Sequence, residues 1–241
     1  MDLKLIDDFP GNANAPKFLE KIIVGNNIKN VADIGGGAKP LLPLELVQKY
    51  GLNYYVLDID KKELDKAPSW CNRLTVDIAS RDKGFIAPDM LGSFDLVFSH
   101  MLLEHIKDAT QAHRNIAMLL KKNGMAVHFF PSPHNLPLFV NKLVPEWVSK
   151  NLVNFFQPTR DKVYDVKFPA YYVLCGTPSQ RLTKIFQSLG YLVEEHVGYI
   201  GHSYYDRFVV TRKMELFARR VILRLNLPLT STIHIVLKKV I

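Results

Sequence analysis

The sequence predicts an α/β fold: a doubly wound, mostly parallel sheet of seven strands carrying a lid built from two insertions. Three observations lead there. Short runs rich in Val, Ile and aromatic residues alternate with amphipathic stretches that begin at capping residues and stop at glycines, the rhythm of repeated βα units. One of those runs, Val31-Ala32-Asp33-Ile34, passes straight into Gly35-Gly36-Gly37. The 241 residues, 48% hydrophobic and free of internal repeats, suit a single domain over 1–241.

Taken in order, Ala15 to Val24 has the apolar spacing of an amphipathic helix. Val31, Ala32 and Ile34 form a first strand covered on both faces, and Pro40 fits the first turn of the helix that follows. Tyr54 to Asp60 reads as a second buried strand ending in acids. Asp60 opens Asp-Lys-Lys-Glu, a capping box with Glu63 at its third helical position. Leu74 to Ile78 is the third strand, Ser80 to Ser93 a polar loop, and Phe94 to His100 the fourth strand. Asp108 and Gln111 cap a helix that runs through Ile116, Leu119 and Leu120 to Gly124, and Met125 to Phe130 is the fifth strand. Thr177 as cap with Pro178 starts another helix, which Gly190 stops. Tyr191 to Val197 is the sixth strand, and Ser231 to Val240, with alternating apolar residues, is the seventh, antiparallel beside it. The segments left over, 131–176 and 198–230, both leave the sheet at its carboxyl edge, where open α/β sheets bind ligands. Together they are expected to form the lid over an acceptor.

Composition narrows the setting. Asp2, Asp7 and Asp8 break the N-terminal stretch, so no targeting signal is expected and the chain is placed in the cytoplasm. Cys71 and Cys175 lie far apart with no metal or disulfide spacing, which suits a reducing compartment. No two of the eight histidines stand at a metal-ligand spacing beside an acid cluster, so no metal is expected.

The glycine loop carries the chemistry. A dinucleotide fingerprint needs a third glycine where Pro40 stands, and Asp33, just before the loop, would repel a pyrophosphate. The same carboxylate suits a cofactor with an ammonium, a sulfonium and no phosphate, which describes S-adenosylmethionine. The plain alternative for three glycines is a turn. Asp58 lies about 20 residues beyond the loop, where a ribose-binding carboxylate is expected. Asp77 either accepts a hydrogen bond from an adenine amino group or caps its own loop.

Asp33-x-Gly35-x-Gly37, then Asp58, Asp77, Phe94-Asp95-Leu96-Val97 and Leu103-Glu104-His105, in that order, resemble the class I S-adenosylmethionine-dependent methyltransferases. The likeness is greatest to the group of ubiquinone/menaquinone-type and glycan-modifying enzymes, over the first two thirds of the chain. Lys39 departs from the family's last loop glycine. The resemblance implies a Rossmann-like methyltransferase fold in which Asp33 holds the methionine ammonium through water and Gly35, Gly36 and Gly37 admit the cofactor. Asp58 then takes both ribose hydroxyls, Ile59 packs on adenine, Asp77 and Ile78 hold the adenine edge, and Ser99 joins the cofactor contacts. His100, at the end of the fourth strand, is the candidate general base, with Glu104 one turn later to orient its ring and His134 in reserve. The alternative is that His100 and Glu104 only settle the start of a helix. Lid character and resemblance together imply O-methylation of a sugar on an acidic or lipid-linked surface glycan, or else methylation of an isoprenoid quinone or similar hydrophobic small molecule.

Charge bears on the partner. Residues 1–130 hold 16 basic and 16 acidic residues, whereas residues 131–241 hold 15 and 7, so the whole net +8 lies in the second part. An acidic acceptor or an anionic surface suits that asymmetry. In the stretch 212–225, Met214, Phe217, Ala218, Val221, Ile222 and Leu225 share one helical arc that should dock on the body, while Leu216 and Leu223 lie among Arg212, Lys213, Arg219, Arg220 and Arg224 on the other. That second arc is either a solvated face or a peripheral contact with an anionic membrane at its inner face. Leu136 to Phe156 is apolar but too interrupted to span a bilayer. With no RNA-binding module or basic tail, nucleic acid is not the expected partner.

Overall fold

The computed structural model describes residues 2–5, 14–134, 169–201 and 209–240. The described strands are β1 (Asp2–Leu5), β2 (Asn30–Ile34), β3 (Asn53–Asp58), β4 (Asn72–Thr75), β5 (Phe94–His100), β6 (Leu120–Pro131), β7 (Tyr191–Ile200) and β8 (Thr232–Lys239). The described α-helices are α1 (Ala15–Gly25), α2 (Leu44–Tyr50), α3 (Lys61–Asp65), α4 (Ala109–Leu119), α5 (Gln180–Ser188) and α6 (Val209–Arg224). The strands form one sheet in the order β1-β7-β8-β6-β5-β2-β3-β4. All pairs are parallel except those of β8, which runs antiparallel to both β6 and β7.

The mostly parallel α/β sheet is therefore as expected, with one strand more than the sequence suggested. β1 pairs in parallel with β7 from Asp2↔Val197 to Leu5↔Ile200. Its residues are largely exposed, so it owes its conformation to backbone pairing rather than to a buried side-chain pattern.

Both faces of the sheet are covered, which explains the near-continuous apolar strands. Val31, Val56, Leu96, Phe98, Val127 and Phe129 point to one face, where α1 supplies Ala15, Leu19 and Ile23. Ala32, Ile34, Leu57, Val97 and Ala126 point to the other, against Ala112, Ile116 and Leu119 of α4 and Phe186 of α5. Asp95 is exempt from this packing. Its Oδ2 accepts the N–H groups of Lys29 and Asn30 (3.0 and 2.8 Å) and its Oδ1 meets Lys121 Nζ at 2.6 Å, clamping the starts of β2 and β6 to β5.

Several boundaries differ from expectation. Pro40 lies in the loop, and α2 starts only after Pro43. The cap of α5 is Ser179, whose hydroxyl accepts Leu182 N–H, rather than Thr177. α4 stops at Leu119, and the chain re-enters the sheet at Leu120 before Asn123 turns at a φ of +64°. Asp60 caps α3 through Lys62 N–H, but its own N–H donates to Asp58 rather than to Glu63, so the box is half built. Gln111 N–H likewise donates to Asp108, while the Gln111 side chain turns to Asn115.

The topology fixes the ligand edge. From β2 the chain proceeds outward to β3 and β4, and it then returns to β5 and β6 on the other side. The reversal opens a crevice at the carboxyl ends of β2 and β5. Of the first expected lid segment, 135–168 lies outside the described residues, and of the second, 202–208. No described helix is long and apolar enough to cross a membrane.

Candidate active site

The loop after β2 is pinned from both sides. Gly35 N–H donates to Leu57 O of β3 at 2.7 Å, and Gly35 and Gly37 have φ of +76° and +46°. A Cβ on Gly35 would sit 2.9 Å from Leu102 Cδ1, and one on Gly36 would sit 2.8 Å from Asp33 Oδ2 and 2.9 Å from Val56 Cγ1. Beneath the loop, Asp33 Oδ2 accepts Leu41 N–H (2.9 Å) and Tyr54 O–H (2.6 Å). Burial pushes this carboxyl up to about 6, against the pull of those hydrogen bonds.

Asp58, half-buried at the end of β3, is the next carboxylate on the same edge. Its Oδ1 accepts Asp60 N–H at 2.9 Å, and its Oδ2 is the atom nearest to where a Cβ of Gly37 would stand. Burial raises it as well. Ile59, the following residue, is 68% exposed. An open apolar side chain beside a carboxylate and a glycine loop is the arrangement that a ribose joined to a flat base requires. The residues present thus fit the expected cofactor.

Other expected residues sit less simply. Asp77 is exposed and its Oδ1 accepts Ala79 N–H at 2.9 Å, so the loop-capping role is filled. Ile78 is buried, and its carbonyl is held by Asn115 Nδ2 at 2.9 Å. Asn115 also binds Ser80 O at 2.8 Å and so ties the loop after β4 to α4. Sequence reasoning passed over Asn115, though a polar residue on the face shared by Ala112, Ile116 and Leu119 was a visible signal. Ser99 requires a correction. It is fully buried with its hydroxyl on His128 Nδ1 at 2.8 Å, so the side chain serves the sheet and only the backbone remains for a ligand.

The end of β5 is strained. Met101 has a φ of +54° while its N–H donates to Phe129 O at 2.8 Å. A non-glycine residue held in this region costs on the order of 1–3 kcal/mol and clusters at ligand sites. His100, just before it, packs near Phe129, and its Nε2 is buried without a hydrogen bond. Burial lowers the pKa of His100, so the ring is held neutral.

Glu104 lies in a short helical turn, 103–105, and is buried. Its Oε2 makes no hydrogen bond, and its Oε1 lies 3.7 Å from His105 Nε2. The expected orienting bond is absent, because neither Glu104 Oε2 nor His100 Nε2 has a partner. Burial pushes the Glu104 carboxyl up to about 7. Its backbone carbonyl accepts the N–H groups of Tyr171 and Tyr172 (2.7 and 3.1 Å), and His105 Nδ1 meets Pro169 O at 3.0 Å, so the segment 169–176 crosses this turn. His134 is exposed, and its N–H donates to Ser132 Oγ, which also accepts Thr230 Oγ1 at 2.8 Å.

The carboxyl ends of β2, β3 and β5 therefore bring together Asp33, the three glycines, Asp58, Ile59 and His100. Among the described residues no group of three His, Cys, Asp or Glu side chains could hold a metal ion. A cavity of about 430 Å³ beside α5 and β7, lined by Lys184, Glu195 and His196 among others, includes no residue of this constellation.

A family model described as a methyltransferase domain matches residues 32–128, which hold the glycine loop, Asp58, Asp77 and His100. No curated protein matches the sequence. Among solved structures, an S-adenosylmethionine-dependent methyltransferase from Mesorhizobium loti superposes with a TM-score of 0.56 at 14% identity, covering 95% of this chain and 99% of that one. A SAM-dependent methyltransferase from Archaeoglobus fulgidus gives 0.54 at 17% identity, covering 97% of each chain. The [4+2]-cyclase SpnF gives 0.54 at 12% identity, covering 94% of this chain and 82% of that one. At these identities the likeness is one of fold.

Proposed function

We propose that the chain, matched over residues 32–128 by a methyltransferase domain, is a class I S-adenosylmethionine-dependent methyltransferase that O-methylates a sugar of an acidic or lipid-linked surface glycan. The observation that carries the acceptor reading is the location of the charge. Its whole excess falls after residue 130, and six of its eight units lie in the segments 131–176 (five basic, three acidic) and 198–230 (six basic, two acidic) that leave β6 and β7 at the same edge as the glycine loop. An anionic acceptor is attracted there.

The residues divide the work as follows. Gly35, Gly36 and Gly37 let the backbone approach the cofactor, Asp33 and Asp58 answer its ammonium and ribose, and Ile59 covers its base. Bound in this way, the cofactor supplies a methyl group activated by a sulfonium. His100 Nε2, neutral and unpartnered, accepts the proton that the sugar hydroxyl loses as its oxygen takes the methyl group. Segments 131–176 and 198–230 serve as the acceptor-side lid, tied at their roots by the Ser132–Thr230 bond. This work takes place in the cytoplasm, at the inner face of the membrane.

A second reading, methylation of an isoprenoid quinone or similar hydrophobic molecule, is favoured by the apolar run between Leu136 and Phe156. Mass spectrometry of surface polysaccharide and of quinones from a deletion strain separates the two. Loss of a sugar O-methyl group is expected. An intact glycan with a demethylated quinone would replace the first reading by the second.

A further inference from the structure

We propose that the outer face of α6 docks on an anionic lipid bilayer. The helix is rotated from the expected orientation, although Ile222 is buried and Lys213, Leu216, Arg220, Leu223 and Arg224 are exposed as expected. Its one acid, Glu215, faces inward and pairs at 2.8 Å with Arg219, and both are buried together with Ile222. The Arg219 guanidinium lies directly against Gly201, where φ is +96° and a Cβ would collide with it. Three of the six residues expected to dock on the body face outward instead: Met214 is 67% exposed, Phe217 70%, and Leu225, just past the helix end, 61%. Lys213, Arg220 and Arg224 lie exposed among them, with Leu216 and Leu223 alongside.

The composition of this face selects its occupant. It offers a central aromatic ring, aliphatic side chains and cations, and no carboxylate. Lys213, Arg220 and Arg224 form no ion pair with any described residue. An apolar tip surrounded by cations alone is the make-up of a helix that lies in the headgroup region of an anionic leaflet. A second copy of the same face would be repelled. Segment 135–168 of this chain is apolar but carries five basic and three acidic residues, so it brings no complementary charge. A nucleic acid would satisfy the cations and leave Phe217, Met214 and Leu225 unanswered.

Position gives the contact a use. Both flanks of α6, Gly201 and the Thr230–Ser231 turn, stand where β7 ends and β8 begins, at the carboxyl edge of the sheet. Docking would hold the acceptor side of the crevice against the headgroups. The proposal rests on the α6 surface and not on the identity of the acceptor.

Co-sedimentation of the full chain with phosphatidylcholine vesicles, with and without phosphatidylglycerol, tests it at low and high salt. Binding is expected only with phosphatidylglycerol and should fade at high salt. Lys213→Glu/Arg220→Glu/Arg224→Glu should weaken it on the order of 100-fold, about fivefold per cation. Phe217→Ser should weaken it at every salt concentration. All four substituted residues are exposed and outside the cofactor residues, so melting temperature and cofactor affinity should stay at the wild-type values and serve as the folding control. Absence of binding, equal binding to both vesicle types, or unchanged binding in the triple variant would overturn the proposal. Equally tight, salt-sensitive binding to single-stranded RNA that is indifferent to Phe217→Ser would assign the face to nucleic acid instead.

Discussion

On the proposed reading, Asp33 combines two duties that pull its ionisation in opposite directions. Its carboxyl, buried and raised to about 6, anchors the loop through Leu41 and Tyr54, while the cofactor's ammonium needs it charged. A carboxyl whose folded value lies above its unfolded one (about 3.9) contributes stability below that pH and loses it as pH rises through about 6. Asp33→Asn keeps an acceptor for both donors without that cost. At pH 8 the apo variant is expected to be more stable than wild type by on the order of 1–3 kcal/mol in urea unfolding, while calorimetry shows S-adenosylmethionine binding weakened about tenfold or more. Wild-type affinity would remove Asp33 from the cofactor site. His100 is tested through rate. His100→Ala should lower turnover at saturating acceptor by ~10²–10⁴-fold. Since burial lowers the His100 pKa, the wild-type rate should hold through neutrality and fall only below the ordinary histidine range of about 6.5. A limb near 7 would point to Glu104, whose carboxyl is raised to about that value.

Among the elements, α4 and β6 carry a second pH dependence of opposite sign. His113 of α4 and His128 of β6 are buried ring to ring, 5.3 Å apart. Burial pulls His113 down to about 4 and His128 well below its ordinary value. Both must be neutral to fold, so their contribution is complete above about 6.5 and is lost as pH falls below it. Unfolding in urea at pH 7 and at pH 5 should differ by on the order of 2 kcal/mol from His113 alone, and His113→Leu should remove that part. On α6, breaking the buried pair with Arg219→Met should cost roughly 3–5 kcal/mol, and Glu215→Leu/Arg219→Met should recover most of it. If the double variant is as unstable as the single one, packing on Gly201 and not the pair holds the helix. This pair also shows why sequence reasoning misplaced Arg219, Met214 and Phe217 on α6. A helical projection buries the apolar arc by rule, and only the glycine that receives the guanidinium, eleven residues before the stretch projected, decides otherwise. The βα units of the first half were legible because their strands carry buried residues on both faces. β1 was not, since its pairing uses backbone groups that no side-chain pattern reports.

For the whole molecule, cofactor binding and stability are linked by mass action. A ligand present at a hundredfold its Kd adds ~2.7 kcal/mol, which for a chain of this size corresponds to a rise of about 5–10 °C in melting temperature. Gly36→Ala should abolish that rise, because its Cβ would press on Asp33 and Val56. An equal shift with NAD would contradict the cofactor assignment. The placement of the candidate residues was legible where they follow a strand end, as at Asp33, Asp58 and His100, which the structure puts on one edge of the sheet. It was hidden where a side chain turns into the core, as with Ser99 and His128, because the facing of one residue depends on strand register. The register at β8 also sets an order in time. Among the described strands, β1 and β7 join the rest of the sheet only through β8, which comes after both in sequence. During synthesis β2 to β6 can pair as they emerge, but β7 can pair only with β1 and cannot join the rest of the sheet until β8 has been made and slotted between it and β6. Until then the edge of β6 stays open and the site lacks the wall that carries α6, so the growing chain completes its cofactor crevice before its acceptor side, and the nascent protein is at greatest risk of misassembly in the interval between them.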